Sequence, residues 1–284
     1  MTTNYRGKDM EATVNNSPSW WKTHKFTILR NIVYISIIIA LIIIPTFKII
    51  KIDLAHNEAW IFGESKPVID GIIPVIAALG FFAILVIILN MIQGRVFCGW
   101  ICPGGWFAEV QEKLRRKLGK DSKFVYIVIT FIMTIIFTGM FFNWVTDLRV
   151  FFYYTNPAFI PMWVALISVF PIFFWELYIG KRWCRTFCPT GIYQKLTPHF
   201  YYYKPALKPP YTTKDCGTCR ECLKVCPMAL DPRKIALMED TINRPGLSSC
   251  IVCGECVDAC TEVWAKKGKE PILGFLHEVP VREV

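Results

Sequence analysis

Four stretches of this sequence are long and apolar enough to cross a lipid bilayer, and they constrain the fold more than any other feature. They cover residues 31–50, 71–93, 124–143 and 160–180, and a transmembrane helix needs about 20 apolar residues. Hydrophobic residues make up 54% of the chain and charged residues only 19%, which is unlike a soluble globular protein. The sequence therefore predicts an all-α membrane domain of four transmembrane helices over residues 31–196, rather than four core helices of a soluble protein.

The distribution of basic residues predicts the orientation of these helices. The chain has 32 Lys and Arg against 22 Asp and Glu, an excess that would suggest nucleic acid binding in a soluble protein. Here the excess lies in particular connections: 51–70 has two Lys against four acidic residues, whereas 181–210 has six basic residues and no acidic one. Because cytoplasmic loops are enriched in Lys and Arg, the N-terminal segment 1–30 and the C-terminus are both predicted to be cytoplasmic. No nucleic acid partner and no cleavable export signal are expected.

A repeated motif follows the second and the fourth apolar stretch. "GRVFCGWICPGGWF" at 94–107 aligns without gaps on "GKRWCRTFCPTGIY" at 180–193. The membrane domain is therefore predicted to consist of two tandem units, each with two helices and a cytoplasmic Cys-x3-Cys-Pro loop. Proline suits the first position of a helix, so the cysteine before it would lie at a helix N-terminus, where partial positive charge favours a thiolate.

The two loops bring four cysteines to one face of the membrane: Cys98, Cys102, Cys184 and Cys188. They are candidate ligands of a metal ion or a third iron–sulfur cluster, or a group of redox-active thiols. The alternative is a structural turn with buried, inert cysteines. The repeat favours a redox or metal role and leaves the choice among them open.

Eight further cysteines follow in two runs with the spacing of bacterial ferredoxins. Each run has the form Cys-x2-Cys-x2-Cys-x3-Cys, and the fourth cysteine of each run binds the cluster of the other run. One [4Fe-4S] cluster is therefore assigned to Cys216, Cys219, Cys222 and Cys260, and the second to Cys226, Cys250, Cys253 and Cys256. Zinc sites and disulfides are the disfavoured alternatives, since zinc does not need this spacing and disulfides are rare in the cytoplasm.

These runs complete the predicted layout. A Pro- and aromatic-rich linker covers 197–213, a small α+β ferredoxin domain with two [4Fe-4S] clusters covers 214–263, and a tail of mixed composition covers 264–284.

One ionisable residue lies inside a predicted span. Glu176 is the only carboxylate there, and ionisable residues within a membrane are costly and often functional. It is the candidate catalytic residue, as an acceptor of protons beside the cytoplasmic boundary. The alternative is an ion pair with Arg182 or another interfacial cation.

The order of two spans, Cys-x3-Cys-Pro, two spans, Cys-x3-Cys-Pro and a double-cluster ferredoxin resembles the NapH/MauN type of membrane ferredoxin. The resemblance covers nearly the whole chain and implies a multi-pass protein of a bacterial or archaeal cytoplasmic membrane. It also implies a quinol dehydrogenase component, which takes electrons from membrane quinol and passes them to a respiratory reductase through iron–sulfur or cytochrome partners.

Another class of function uses the same residues. The clusters of a metal-handling or assembly protein would reduce a metal ion or the thiols of a partner. The sequence also leaves the direction of electron flow open.

Overall fold

A computed structural model describes residues 20–118, 122–196, 200–237 and 246–277. Most of the predicted N-terminal segment and the last residues of the predicted tail lie outside this range. The helices are α1 Trp20–Thr23, α2 Lys25–Thr46, α3 Val68–Gln93, α4 Val96–Trp100, α5 Pro103–Leu118, α6 Lys123–Val145, α7 Phe159–Ile179, α8 Lys181–Thr186, α9 Pro189–Leu196, α10 Glu221–Val225 and α11 Glu255–Ala265. The strands are β1 Ile50–Asp53, β2 Glu58–Ile61, β3 Glu64–Pro67, β4 Lys204–Leu207 and β5 Leu273–Leu276.

Helices α2, α3, α6 and α7 are long and apolar enough to cross a membrane, with 22, 26, 23 and 21 residues. The predicted four-helix membrane domain is thus confirmed. The ends differ most at α2, which begins at Lys25 rather than near residue 31 and ends at Thr46. Helix α6 packs against α7 and α2. Phe107 of α5 packs with Met140 of α6 and Leu177 of α7 in one apolar cluster.

The early start of α2 is explained by a carboxylate from the part of the chain that carries the eight ferredoxin cysteines, here called the ferredoxin part. Asp258 of α11 accepts hydrogen bonds from the N–H groups of Phe26 and Thr27, at 3.2 and 2.7 Å, and from the Thr27 hydroxyl at 2.8 Å. The first N–H groups of a helix have no partner within the helix, and a negative charge at this end is favourable. The ferredoxin part therefore caps the first membrane helix.

The connection between α2 and α3 folds into an antiparallel sheet in the order β1-β2-β3, which the sequence analysis did not predict. Phe62 and Gly63 join β2 to β3 with φ of 50° and 85°, as a two-residue hairpin turn with positive φ at both positions requires. Ala59 packs so closely on Gly71 of α3 that a Cβ on Gly71 would lie 2.2 Å from the Ala59 methyl carbon. The sheet therefore packs against the N-terminal end of α3.

The ferredoxin part is α+β, as predicted. Its helices α10 and α11 pack together, and β4 pairs with β5 in antiparallel register from Lys204↔Leu276 to Leu207↔Leu273. Both strands lie outside the predicted limits 214–263, in the predicted linker and tail. Their pairing draws these segments onto the ferredoxin part.

Candidate iron–sulfur centres

Matched hydrogen bonds give the two Cys-x3-Cys-Pro loops the same backbone conformation. Gly94 and Gly180 follow α3 and α7 with φ of 71° and 64°, and each donates its N–H to the carbonyl four residues earlier, at 2.7 and 3.0 Å. Cys102 and Cys188 each donate their N–H, at 3.0 Å, to the carbonyl of the aromatic residue before the first cysteine of the loop. The sequence repeat is therefore a structural repeat.

A glycine two residues after the proline of each Cys-Pro pair lets the loop close. A Cβ on Gly105 would lie 2.7 Å from the carbonyl oxygen of Cys98, and one on Gly191 would lie 2.6 Å from that of Cys184. Since real Cβ contacts are not this short, only glycine permits the helix after each loop to approach the first cysteine.

The four cysteines of the two loops, here called the loop cysteines, interact with one another. Cys98 interacts electrostatically with Cys188, and Cys102 with Cys98 and Cys184. Burial raises the pKa of Cys102 to about 12 and that of Cys184 to about 11. Cys102 and Cys188 do precede helices that begin with proline, but burial outweighs the expected preference for the thiolate at Cys102. Metal binding would deprotonate these thiols outright.

Glu176 lies next to the loop cysteines. Its Oε1 would be 2.8 Å from a Cβ on Gly104, at the N-terminus of α5, and its charge acts on both Cys102 and Cys184. Within the described ranges, its carboxylate forms no ion pair or hydrogen bond, and the alternative pairing with Arg182 is not observed.

The eight ferredoxin cysteines surround two separate cavities. One has an empty volume of about 390 Å³ and is lined by the proximal ferredoxin cysteines, Cys226, Cys250, Cys253 and Cys256. The other has an empty volume of about 330 Å³ and is lined by the distal ferredoxin cysteines, Cys216, Cys219, Cys222 and Cys260. These are the two sets that the crossing rule of bacterial ferredoxins predicts.

The proximal ferredoxin cysteines lie against the first membrane loop. Cys98 belongs to one apolar core with Cys253, Cys226 and Cys250. The indole N–H of Trp100, between the two cysteines of that loop, donates to the carbonyl of Val252 at 2.9 Å. The two cysteine-bearing segments are therefore in direct contact.

The distal ferredoxin cysteines contact the proximal set in turn. Cys222 and Cys260 share an apolar core with Cys256 of the proximal set. The backbone around the distal set is more open, since Gly217, Thr218 and Arg220 are exposed.

Comparisons with known proteins agree with this division of the cysteines. A family model described as a 4Fe-4S binding domain matches residues 75–121 and 159–200, once for each membrane loop. A model described as a 4Fe-4S dicluster domain matches residues 190–277. The chain is 21% identical to the ferredoxin-type protein NapH of Escherichia coli, over 90% of this chain and 94% of that protein.

The chain is also 24% identical to the methylamine utilization ferredoxin-type protein MauN of Paracoccus denitrificans, over 73% of this chain and 78% of that protein. The chain belongs to the NapH/MauN type of membrane ferredoxin. This NapH/MauN-type protein is also 24% identical to the putative electron transport protein YccM of Escherichia coli, over 65% of this chain and 54% of that protein. No solved structure matches the chain.

A NapH/MauN-type protein is an iron–sulfur electron-transport protein of the ferredoxin type, and the cysteine geometry suits clusters better than single ions. All twelve cysteines lie in described residues, and none forms a disulfide. Among the described residues, no three His, Cys, Asp or Glu side chains are arranged to hold one metal ion. A single zinc ion needs its ligands about 2.3 Å from one point, whereas the four thiolates of a cluster bind different iron atoms and stand further apart.

A buried ionic cluster joins the membrane and ferredoxin parts of this NapH/MauN-type protein. Arg30 of α2 is fully buried, and its Nη2 contacts Glu109 of α5 and, at 2.6 Å, Glu255 of α11. Lys113 lies 2.8 Å from both carboxylates. Burial would raise the pKa of Glu109, but the surrounding cations, Arg30 first, lower it to about 2. The sequence analysis did not predict this junction.

The contact between the first loop and the ferredoxin part leaves no room for a side chain at Gly99. A Cβ there would lie 2.0 Å from the carbonyl oxygen of Ile251. We expect Gly99→Ala to lower the free energy of unfolding by about 1–3 kcal/mol, as overpacking does, and to weaken the contact beside the proximal ferredoxin cysteines. Chemical denaturation followed by cluster absorbance measures this. Gly139→Ala is the matched control in α6, because a Cβ there meets nothing within 4 Å; equal effects of the two substitutions would contradict the expectation.

Proposed function

We propose that this protein oxidises membrane quinol and passes the electrons, one at a time, through three [4Fe-4S] clusters to a redox partner. The observation that carries the proposal is the unbroken contact from the loop cysteines, through the proximal ferredoxin cysteines, to the distal ferredoxin cysteines. Each set has four thiols, the number that one [4Fe-4S] cluster requires. When bound, such clusters accept and release single electrons.

The loop cysteines are the proposed entry point for electrons. They follow the membrane helices α3 and α7 directly, so they lie nearest to a lipid-soluble donor. The match of a 4Fe-4S binding family to both loops supports a third cluster there. The distal ferredoxin cysteines, with exposed backbone around them, are the proposed exit toward an iron–sulfur or cytochrome partner.

Glu176 is the proposed proton acceptor. Oxidation of one quinol to quinone releases two electrons and two protons, and the protons need a base near the lipid boundary. Glu176 is partly buried, lies beside Cys102 and Cys184, and has no cationic partner within the described residues. Its carboxylate can therefore take up one proton at a time and release it to the aqueous side.

The orientation follows from the charge distribution. With both termini in the cytoplasm, the loops and the ferredoxin part face the cytoplasm of a bacterial or archaeal cell, and the β1-β2-β3 sheet faces the other side.

The proposed activity is tested with protein purified anaerobically with its clusters intact. A menaquinol analogue is added, and cluster absorbance and the reduced-cluster EPR signal are followed together. We expect rapid reduction that a quinone-site inhibitor abolishes. Clusters that dithionite reduces but excess quinol leaves oxidised would contradict the proposal and favour metal handling or reverse electron flow.

Glu176→Gln is expected to slow quinol-driven reduction by about 10²–10⁴-fold, the usual contribution of a positioned acid or base. Reduction by dithionite should be unchanged, because it removes no proton from a quinol. Glu64→Gln, in the exposed strand β3, is the control. Equal rates for Glu176→Gln and the control would remove Glu176 from the mechanism.

A further inference from the structure

Two buried cations occupy equivalent positions in the two membrane loops. Arg95 follows Gly94, and Lys181 follows Gly180, in the aligned motifs. Arg95 has no exposed surface, and Lys181 is only 2% exposed. By contrast, Arg182, the next residue along the chain, is exposed. The repeat therefore buries a positive charge three residues before the first cysteine of each loop.

Each cation lies among the cysteines of both loops. The Nη2 atom of Arg95 donates to the carbonyl of Cys184, in the other loop, at 2.8 Å. It lies so close to Gly191 that a Cβ there would be 2.5 Å away. Lys181 acts electrostatically on both Cys98 and Cys184. Both positive charges therefore lie beside Cys98 and Cys184, the first cysteines of the two loops.

The protein supplies little negative charge to balance these cations. Within the described ranges, Arg95 forms no ion pair, and its Nε and Nη1 atoms are buried without a hydrogen-bond partner. Among the described residues, only the Glu109 carboxylate lies within 4 Å of the Lys181 ammonium group, with Nζ and Oε2 3.9 Å apart. A buried charge without a partner is strongly unfavourable. A bound anion at the loop cysteines would supply the missing counter-charge.

We infer that Arg95 and Lys181 are the counter-charges of an anionic iron–sulfur cluster on the loop cysteines, and that they raise its reduction potential. The inference rests on the proposed third cluster. Reduction adds one electron, and thus one negative charge, to a centre already carrying four thiolates. Nearby cations stabilise the reduced state more than the oxidised one, which makes the centre a better acceptor of electrons from quinol.

The two cations differ in their reach. Arg95 belongs to the first loop, in which Cys98 packs with Cys250, and it also acts electrostatically on Cys250. Lys181 belongs to the second loop and acts on Cys98 and Cys184. Arg95 therefore lies between two adjacent centres. Removing its charge should shift both centres, and removing the charge of Lys181 should shift mainly one.

The test is a potentiometric EPR titration of the full-length protein, with iron content measured on the same samples. We expect Arg95→Gln and Lys181→Gln each to make reduction of the loop-cysteine cluster at least tenfold less favourable, a shift of about 59 mV to lower potential for one electron. Arg95→Gln should also lower the potential of the proximal ferredoxin cluster. Arg95→Lys and Lys181→Arg, which keep the charge, should stay near wild type, as should the exposed control Arg182→Gln.

The outcomes separate the inference from the proposed function. Wild-type protein whose iron and EPR signals account for only the two ferredoxin clusters would overturn both. A third cluster whose potential is unchanged in the two Gln variants would overturn the inference alone. If the Gln variants fail to assemble the third cluster, the Lys and Arg variants decide: assembly with either cation supports the role of charge, and failure with both overturns it.

Discussion

Replacing Cys184 by serine is expected to remove about a third of the bound iron and to prevent quinol from reducing the clusters that remain. The reason is that Cys184 belongs to the loop cysteines, which lie between the membrane and the ferredoxin part, while the eight ferredoxin cysteines are untouched. Iron analysis and the EPR spectrum after dithionite should show two clusters. The same sample should show no reduced signal with a menaquinol analogue.

Cys216→Ser is the matched control for this prediction. It removes one of the distal ferredoxin cysteines, so it should also lower the iron content by about a third. Quinol should still reduce the two remaining clusters, because the distal set lies at the far end of the chain of contacts. Unchanged iron in Cys184→Ser, or the same quinol response in both variants, would contradict the proposed order of the centres.

Replacing Arg30 by glutamine is expected to lower the free energy of unfolding by about 3–5 kcal/mol. Arg30 is buried with Glu109 and Glu255, and removing one partner of a buried ionic group leaves uncompensated charge. Because Glu109 belongs to α5 and Glu255 to α11, the loss should also loosen the ferredoxin part from the membrane part. Chemical denaturation in detergent, followed by cluster absorbance, measures the first effect, and limited proteolysis the second.

Lys266→Gln is the control for the ionic junction. Lys266 and Glu262 form a pair at 2.7 Å that is largely exposed, and such pairs on a helix contribute at most about 0.5 kcal/mol. Comparable destabilisation by Arg30→Gln and Lys266→Gln would contradict the importance of the buried junction.

The sequence predicted the features that depend on length and spacing. Four apolar stretches gave four membrane helices because a bilayer fixes their length, and the Cys-x2-Cys-x2-Cys spacing separated the ferredoxin cysteines into two sets. Each set takes its fourth cysteine from the other run: Cys260 joins the first three cysteines of the first run, and Cys226 joins those of the second. The two cavities are lined by these two sets.

Features that depend on tertiary contacts were missed. Arg30, Arg95 and Lys181 belong to the basic excess from which the orientation was predicted, yet all three are buried. Charge counting cannot distinguish a cation in water from one among thiols, although the shared position of Arg95 and Lys181 in the repeat was a visible signal. Strands β4 and β5 were missed because each has only four residues and because they pair with each other across about 70 positions of sequence.

We propose that electrons from quinol enter at the loop cysteines and reach the ferredoxin cysteines afterwards. Freeze-quench EPR of the wild-type protein, mixed anaerobically with a menaquinol analogue, tests this most directly, with Cys184→Ser used to assign the signal of the loop-cysteine cluster. We expect this signal to appear first and the ferredoxin signals to follow. Ferredoxin signals that appear before it, or that appear with quinol in Cys184→Ser, would contradict this order of electron transfer.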